Sequence, residues 1–391
     1  MTKRFPTGFL WGAATAAHQI EGNNVNSDWW LREHDIDRVD RIEEPSGDAA
    51  DSYHRYREDM RLLADAGLTS YRFSIEWARI EPEQGFVSRA ELDHYRRMVD
   101  TARELGLEPM VTLHHFTVPR WFDAGIGWRD AASVDAFARY VEATLPVLDE
   151  VELVCTINEP NMVAVLAHAS AHDEFLAGRM PPADPVVADN LVRAHEHAVD
   201  IVRGAGKSAG WSVATQAFQP EPGSEGFARE FSWSREDLFL QAAANDDWVG
   251  VQAYTRTKVG PRGPLPIAEG TELTLTGWEY YPSAIEYGIR NSWVHAPGVP
   301  VYVTENGIAT ADDARRIDYT LGALEAVART MADGIDVRGY LHWSALDNYE
   351  WGSFRPTFGL IAWDRETFER HPKPSLAWLG GVARANRLPG S

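Results

Sequence analysis

The sequence predicts an α/β protein, a single (β/α)8 barrel of the TIM type spanning residues 1–391. Three observations lead there. Eight short apolar runs alternate with eight amphipathic segments along the whole chain. No Ser/Gly linker, low-complexity tract or short repeat divides them, so the alternation belongs to one unit. The composition, 44% hydrophobic and 24% charged, is that of an ordinary globular protein.

The apolar runs are 9–14, 70–75, 109–113, 153–157, 210–214, 248–252, 301–304 and 338–343. Most are apolar throughout rather than alternating, as expected of parallel strands covered on both faces. The predicted helices are 51–66, 89–105, 131–149, 186–204, 235–245, 279–291, 313–333 and 375–386. The first run has a second interpretation. Lys3 and Arg4 precede apolar residues, and Ala14 and Ala16 have the spacing of a signal-peptidase site. Pro6, Gly8, Gly12 and Thr15 interrupt it, which favours a buried strand starting near residue 9. In the fourth helix, Pro185 suits the first turn and Asp184 the cap. The seventh shows the clearest period, with Ile317, Leu321, Leu324, Ala328 and Met331 at three- and four-residue steps, and Thr310 is expected to cap it. The alternative fold is an open doubly wound sheet, which carries a glycine-rich phosphate turn after its first strand. The only candidate, residues 204–210 (Gly-Ala-Gly-Lys-Ser-Ala-Gly), follows a helix and precedes a strand, the wrong order for a dinucleotide loop. It also lacks the earlier glycine of a P-loop, because residue 201 is Ile.

Fifty-eight acidic against 37 basic residues give a net charge of −21. That charge disfavours nucleic acid and anionic membranes as partners. One cysteine, Cys155, excludes an intramolecular disulfide and a cysteine-based metal site, and allows a reducing, cytoplasmic location. No apolar run reaches the ~18 residues of a membrane span.

In a barrel the reactive groups sit past the C-terminal strand ends. Two runs end there in a carboxylate: Thr156-Ile157-Asn158-Glu159-Pro160 and Tyr302-Val303-Thr304-Glu305-Asn306-Gly307. Two carboxylates on one rim are the minimum set for cleaving a glycosidic bond, one protonating the leaving oxygen and the other attacking the anomeric carbon or activating water. Gln19, His114-His115, Gln252, Tyr254, Trp343, Glu350 and Trp351 fall at other strand ends. Amides, imidazoles and carboxylates can hold vicinal hydroxyls, and tryptophans offer flat faces to a sugar ring. A metal-dependent hydrolase would want His-x-His at a strand end. His114 and His115 are adjacent and should point to opposite sides of the strand.

Phe9-Leu10-Trp11-Gly12-Ala13-Ala14-Thr15, Gln19-Ile20-Glu21-Gly22, Tyr71-Arg72-Phe73-Ser74, Asn158-Glu159-Pro160, Thr304-Glu305-Asn306-Gly307 and Asp347-Asn348-Tyr349-Glu350-Trp351 together resemble the motifs of glycoside hydrolase family 1, in order, from residue 9 to about 380. The resemblance implies a retaining β-glycosidase acting on β-glucosides, with β-galactosides and β-fucosides as further substrates, and no metal or organic cofactor. It makes Glu159 the acid/base and Glu305 the nucleophile. Asn158 would bond the sugar 2-hydroxyl, Gln19, His115, Glu350 and Trp351 the other hydroxyls, and Trp343 would form the floor. Arg72 and Tyr254 would keep the nucleophile ionised. The expected partner is a small β-glycoside or oligosaccharide. A transglycosylase of the same fold, or a catalytically silent sugar-binding barrel, is the alternative. Three features depart from the family pattern. The stretches after Glu159 and before Glu305 look trimmed, Phe116 stands where many members carry Trp, and Gln252-Ala253-Tyr254 replaces a more usual Asn-Tyr-Tyr.

Overall fold

A computed structural model describes residues 4–35, 42–171, 174 and 179–390; Lys3, of the signal-peptide alternative, lies outside them. Eight strands form a closed, wholly parallel barrel: β1 (Leu10–Ala14), β2 (Ser70–Ser74), β3 (Glu108–His114), β4 (Leu153–Asn158), β5 (Ser208–Ala214), β6 (Val249–Gln252), β7 (Val301–Asn306) and β8 (Val337–Trp343). Each strand pairs with its neighbour in sequence, and β8 closes on β1 from Leu10 opposite Gly339 to Ala14 opposite Trp343. All eight predicted runs are barrel strands, the first included.

The outer layer is α1 (Ser52–Ala66), α2 (Arg89–Glu104), α3 (Ala132–Thr144), α4 (Pro185–Gly204), α5 (Glu225–Ser232), α6 (Ala284–His295), α7 (Asp313–Ala332) and α8 (Pro374–Ala385). Asp184 caps α4 as expected, accepting from the Val186 and Val187 amides. Four boundaries differ from the prediction. The segment predicted as 131–149 is α-helical only to Thr144 and continues as a 3-10 turn, Leu145–Val147. Helix α7 is capped by Asp312, not Thr310. The Asp312 carboxylate accepts from the Ala314 and Arg315 amides, while the Thr310 hydroxyl accepts from the Asp312 amide, two residues too early. The segment predicted as 279–291 turns helical only at Ala284, because the Tyr280 amide is committed to the Glu272 carbonyl and Pro282 stands ahead of the first turn. The segment predicted as 235–245 starts earlier, as α5, and passes through a π-helical turn, Trp233–Asp237, into the short helix Leu238–Ala242.

Strand alternation divides the core in two. Tyr71 and Phe73 of β2 face outward into the large layer between strands and helices, whereas Arg72 between them faces the barrel axis. The interior holds a smaller cluster that includes Met110, Leu153, Cys155, Trp248, Tyr302 and Leu341. No helix among the described residues is long and apolar enough to cross a membrane.

Candidate active site

The C-terminal strand ends open into a cavity of about 300 Å³. Gln19, His115, Asn158, Glu159, Gln252, Tyr254, Glu305, Trp343, Glu350 and Trp351 all line it, so the sequence-predicted rim residues meet in one place. Arg72 lies beneath, fully buried, and reaches the Glu305 carboxylate from inside the barrel. Among the described residues, no group of three or more His, Cys, Asp or Glu side chains is arranged to hold a metal ion.

Glu305 is the last residue but one of β7 and is held from two sides. Arg72 Nη1 donates to its Oε1 at 2.6 Å, and the Tyr254 hydroxyl donates to its Oε2 at 2.6 Å. The second guanidinium nitrogen, Nη2, donates to Asn158 Oδ1 at 2.5 Å, and Gln252 Nε2 donates to the same oxygen at 2.8 Å. Tyr254 is itself fixed from behind, where the Tyr319 hydroxyl of α7 donates to its carbonyl at 2.6 Å. Asn306 Nδ2 donates to the Ala253 carbonyl and Tyr340 donates to Asn306 Oδ1 at 2.8 Å, so the end of β7 is locked to both neighbours. A Cβ on Gly307 would come within 2.0 Å of the Trp343 carbonyl. Only glycine lets the chain leaving Glu305 pass so close to the cavity floor.

Glu159 directly follows β4, with a left-handed backbone (φ 46°, ψ 57°). A non-glycine residue adopts that conformation at a cost of order 1–3 kcal/mol. Its amide donates to the Ser212 carbonyl of β5 at 2.7 Å, and Pro160 starts the helix Pro160–Leu166 immediately after. The conformation turns the carboxyl into the cavity. Among the described residues, no donor reaches that carboxyl.

Aromatic rings form the remaining walls. His115 lies near-parallel to both Trp343 and Trp351, with centroids 5.9 and 6.2 Å away. His18 backs Trp351 with ring planes only 4° apart. Trp343 Nε1 donates to Glu350 Oε1 at 3.1 Å, joining floor and rim. Three buried polar atoms in this wall are left without partners: Gln19 Oε1, His115 Nδ1 and Gln252 Oε1. Each unpaired group costs about 1–3 kcal/mol, which a ligand rich in hydroxyls would recover. Asn158 Nδ2 donates to His115 Nε2 at 3.2 Å, so the neutral ring carries its proton on Nδ1.

The family model described as Glycosyl hydrolase family 1 matches residues 1–257 and 266–388. The chain belongs to that family. A 1,4-β-D-glucan glucohydrolase from Thermotoga neapolitana is 31% identical over 450 aligned positions that cover 99% of each chain. Since this chain has 391 residues, that relative carries segments absent here. Among solved structures, a β-glycosidase is 43% identical with a TM-score of 0.89, covering 99% of both chains. A β-glucosidase from Thermotoga maritima, in complex with noeuromycin, is 28% identical with a TM-score of 0.91 and covers 99% of this chain and all of its own.

For a family 1 site, the electrostatics separate the two carboxyls. Burial, and then the negative charge of Glu305, push Glu159 well above the usual carboxylate range. Burial also pushes Glu305 up, but the Arg72 charge and the Tyr254 hydroxyl pull it back. When the pair holds one proton, it therefore belongs to Glu159. Burial raises the Tyr254 phenol, which stays a donor, and depresses His115, which stays neutral. Glu350 is pushed up to about 8, chiefly by burial.

His114, by contrast, turns away from the cavity and packs edge-on against Trp128 and Phe137, which bears out the opposite facing of the two histidines. Trp29, Met162, Leu166, Thr215, Gln216, Thr255, Trp278 and Phe358 also line the cavity. Sequence reasoning missed them. They lie outside the barrel strands, Met162 and Leu166 on the short helix Pro160–Leu166, Trp29 on the short helix Asp28–Glu33 and the others in loops; the adjacent Trp29-Trp30 pair was the one available signal.

Proposed function

We propose that Glu305 is the nucleophile and Glu159 the acid/base of a retaining β-glycosidase that removes terminal β-D-glucosyl residues, with the whole chain acting as one barrel domain. The enzyme is a glycoside hydrolase of the β-glucosidase type. In the first step a Glu305 oxygen bonds to the anomeric carbon, the bond to the leaving oxygen breaks, and the Glu159 proton passes to that oxygen. In the second, Glu159, now a carboxylate, takes a proton from water as the water oxygen attacks the same carbon and frees Glu305. The observation that carries the assignment is the one-sided placement of donors: a guanidinium and a phenol bond Glu305, and none bonds Glu159.

Asn158, held by Arg72, Gln252 and His115, is suited to the 2-hydroxyl. Gln19, His115, Glu350 and Trp351 are suited to the other hydroxyls, over the Trp343 floor. Bonded by Asn158 and near-parallel to two indoles, His115 is held in one orientation, which favours a fixed hydroxyl pattern. The free, buried Cys155 supports a cytoplasmic location. The test is proton NMR of the sugar first released from nitrophenyl β-glucoside, β-galactoside and β-fucoside. Initial β-anomer from the glucoside is expected, and initial α-anomer would overturn the reading.

A further inference from the structure

We propose that Asn161 is a positioning residue for the acid/base, its side-chain amide holding the turn that aims Glu159 into the cavity. The proposal rests on Glu159 being the acid/base. Asn158 and Glu159 are consecutive, yet both line the cavity. A strand running on past Asn158 would turn Glu159 to the opposite face. The left-handed backbone of Glu159 breaks that alternation, and in doing so it interrupts the sheet between β4 and β5.

The interrupted bonds are identifiable. Asn158 is in register with Ser212, and the Glu159 amide donates to the Ser212 carbonyl at 2.7 Å. In a continuing parallel ladder the Ala214 amide would donate next, to the Glu159 carbonyl, and the Ala214 carbonyl would accept from the backbone amide of residue 161. The Glu159 carbonyl has instead turned to start the helix, where it accepts from the Met162 and Val163 amides at 2.9 and 3.1 Å. The Asn161 side chain supplies both missing partners. Its Oδ1 accepts from the Ala214 amide at 3.2 Å, and its Nδ2 donates to the Ala214 carbonyl at 2.9 Å.

Asn161 is fully buried, and its Nδ2 also donates to the Arg235 carbonyl of the π-helical turn at 2.7 Å. The next residue of that turn, Glu236, accepts from the Gln216 amide at 2.8 Å. The chain leaving β5 is therefore held at Ala214 by Asn161 and at Gln216 by Glu236. Without the Asn161 amide, the buried Ala214 N–H loses its partner. An extended Glu159 would restore that partner and relieve its own strained backbone. Both effects draw the carboxyl out of the cavity, and Asn161 removes the first.

The test compares phenyl and dinitrophenyl β-glucosides in Asn161→Leu, which fills the same space without a polar atom. The first leaving group needs the Glu159 proton and the second does not. kcat/KM for the phenyl glucoside should fall by about 10²-fold, the cost of misplacing a catalytic group by about 1 Å, while that for the dinitrophenyl glucoside stays within about threefold. Azide should raise kcat for the dinitrophenyl glucoside, because it needs no general base in the second step. A merely structural loss removes folded enzyme and lowers both substrates alike. Equal loss on the two glucosides, no loss on either, or a kcat that azide leaves unchanged would overturn the proposal. If Asn161→Leu fails to fold, Asn161→Ser is read in the same way, since its oxygen lies one bond nearer the backbone and falls short of Ala214. Glu159→Ala is the control. If that variant too lost both substrates alike, the role given to Glu159 would fall, rather than the role given to Asn161.

Discussion

Replacing Tyr254 by Phe removes one atom, the hydroxyl that donates to Glu305 Oε2 at 2.6 Å. The ring keeps its neighbours, Trp278 and Phe358, at 5.7 and 5.9 Å, and its backbone carbonyl still accepts from Tyr319. The change is therefore electrostatic rather than a cavity in the core. A hydrogen bond to a charged group is worth about 1.5–3 kcal/mol. At about 1.36 kcal/mol per pKa unit, its loss raises the Glu305 pKa by about one to two units. The sign is fixed, because the donor favours the ionised form and removing it favours the proton. Glu305 must be ionised to attack, so the acidic limb of the kcat/KM profile should move to higher pH by that amount. The basic limb, which reports loss of the Glu159 proton, should move less. The assay is kcat/KM for nitrophenyl β-glucoside across pH, which reads the free enzyme. An acidic limb that stays in place, or a shift confined to the basic limb, would refute the reasoning.

Two further outcomes follow from other parts of the molecule. Arg370 and Asp59 form an ion pair at 2.6 Å, with each side chain 1% exposed, tying α1 to the short strand Arg370–Pro372. Arg370→Leu leaves Asp59 buried and unpaired, and should destabilise the fold by about 3–5 kcal/mol; an unchanged thermal midpoint would contradict this. Glucoside 6-phosphates should be turned over at least about tenfold more slowly than the free glucosides, because a buried phosphate needs a cation. No Lys or Arg lines the catalytic cavity among the described residues, and Arg355, the basic group after Trp351, pairs with Glu43 at 3.1 Å. Faster turnover of nitrophenyl glucoside 6-phosphate than of the free glucoside would reverse that conclusion.

The barrel was legible because strands buried on both faces are written as short, unbroken apolar runs, and all eight were found. The rim was legible for a related reason. A charged or amide residue at the end of such a run stands out, as Glu159, Glu305 and Gln252 do. Helix boundaries were harder, since they turn on single hydrogen bonds. Asp312 outcompetes Thr310 by position, and the amide of Tyr280 is spent on Glu272 before α6 can begin. The walls of the leaving-group side were not legible. Trp29, Met162 and Leu166 come from short helices after strands, and Trp278 from a loop, and where these lie depends on tertiary contact. The packing of Trp351 between His18 and Phe116 likewise joins residues more than 200 positions apart. Adjacent spacing did separate His115 from His114, because a strand turns successive side chains to opposite faces.

The roles of the two carboxylates are tested most directly by the stereochemistry of azide products. Glu305→Ala opens space on the face opposite the leaving group, and azide entering there should give the α-glycosyl azide from a β-glucoside with an activated leaving group. Glu159→Ala should still form the glycosyl-enzyme from a dinitrophenyl β-glucoside, whose leaving group needs no proton. Azide attacking from the vacated side should then give the β-azide. Proton NMR distinguishes the anomers. An α-azide from Glu305→Ala and a β-azide from Glu159→Ala are predicted, and the opposite pairing would contradict the assignment.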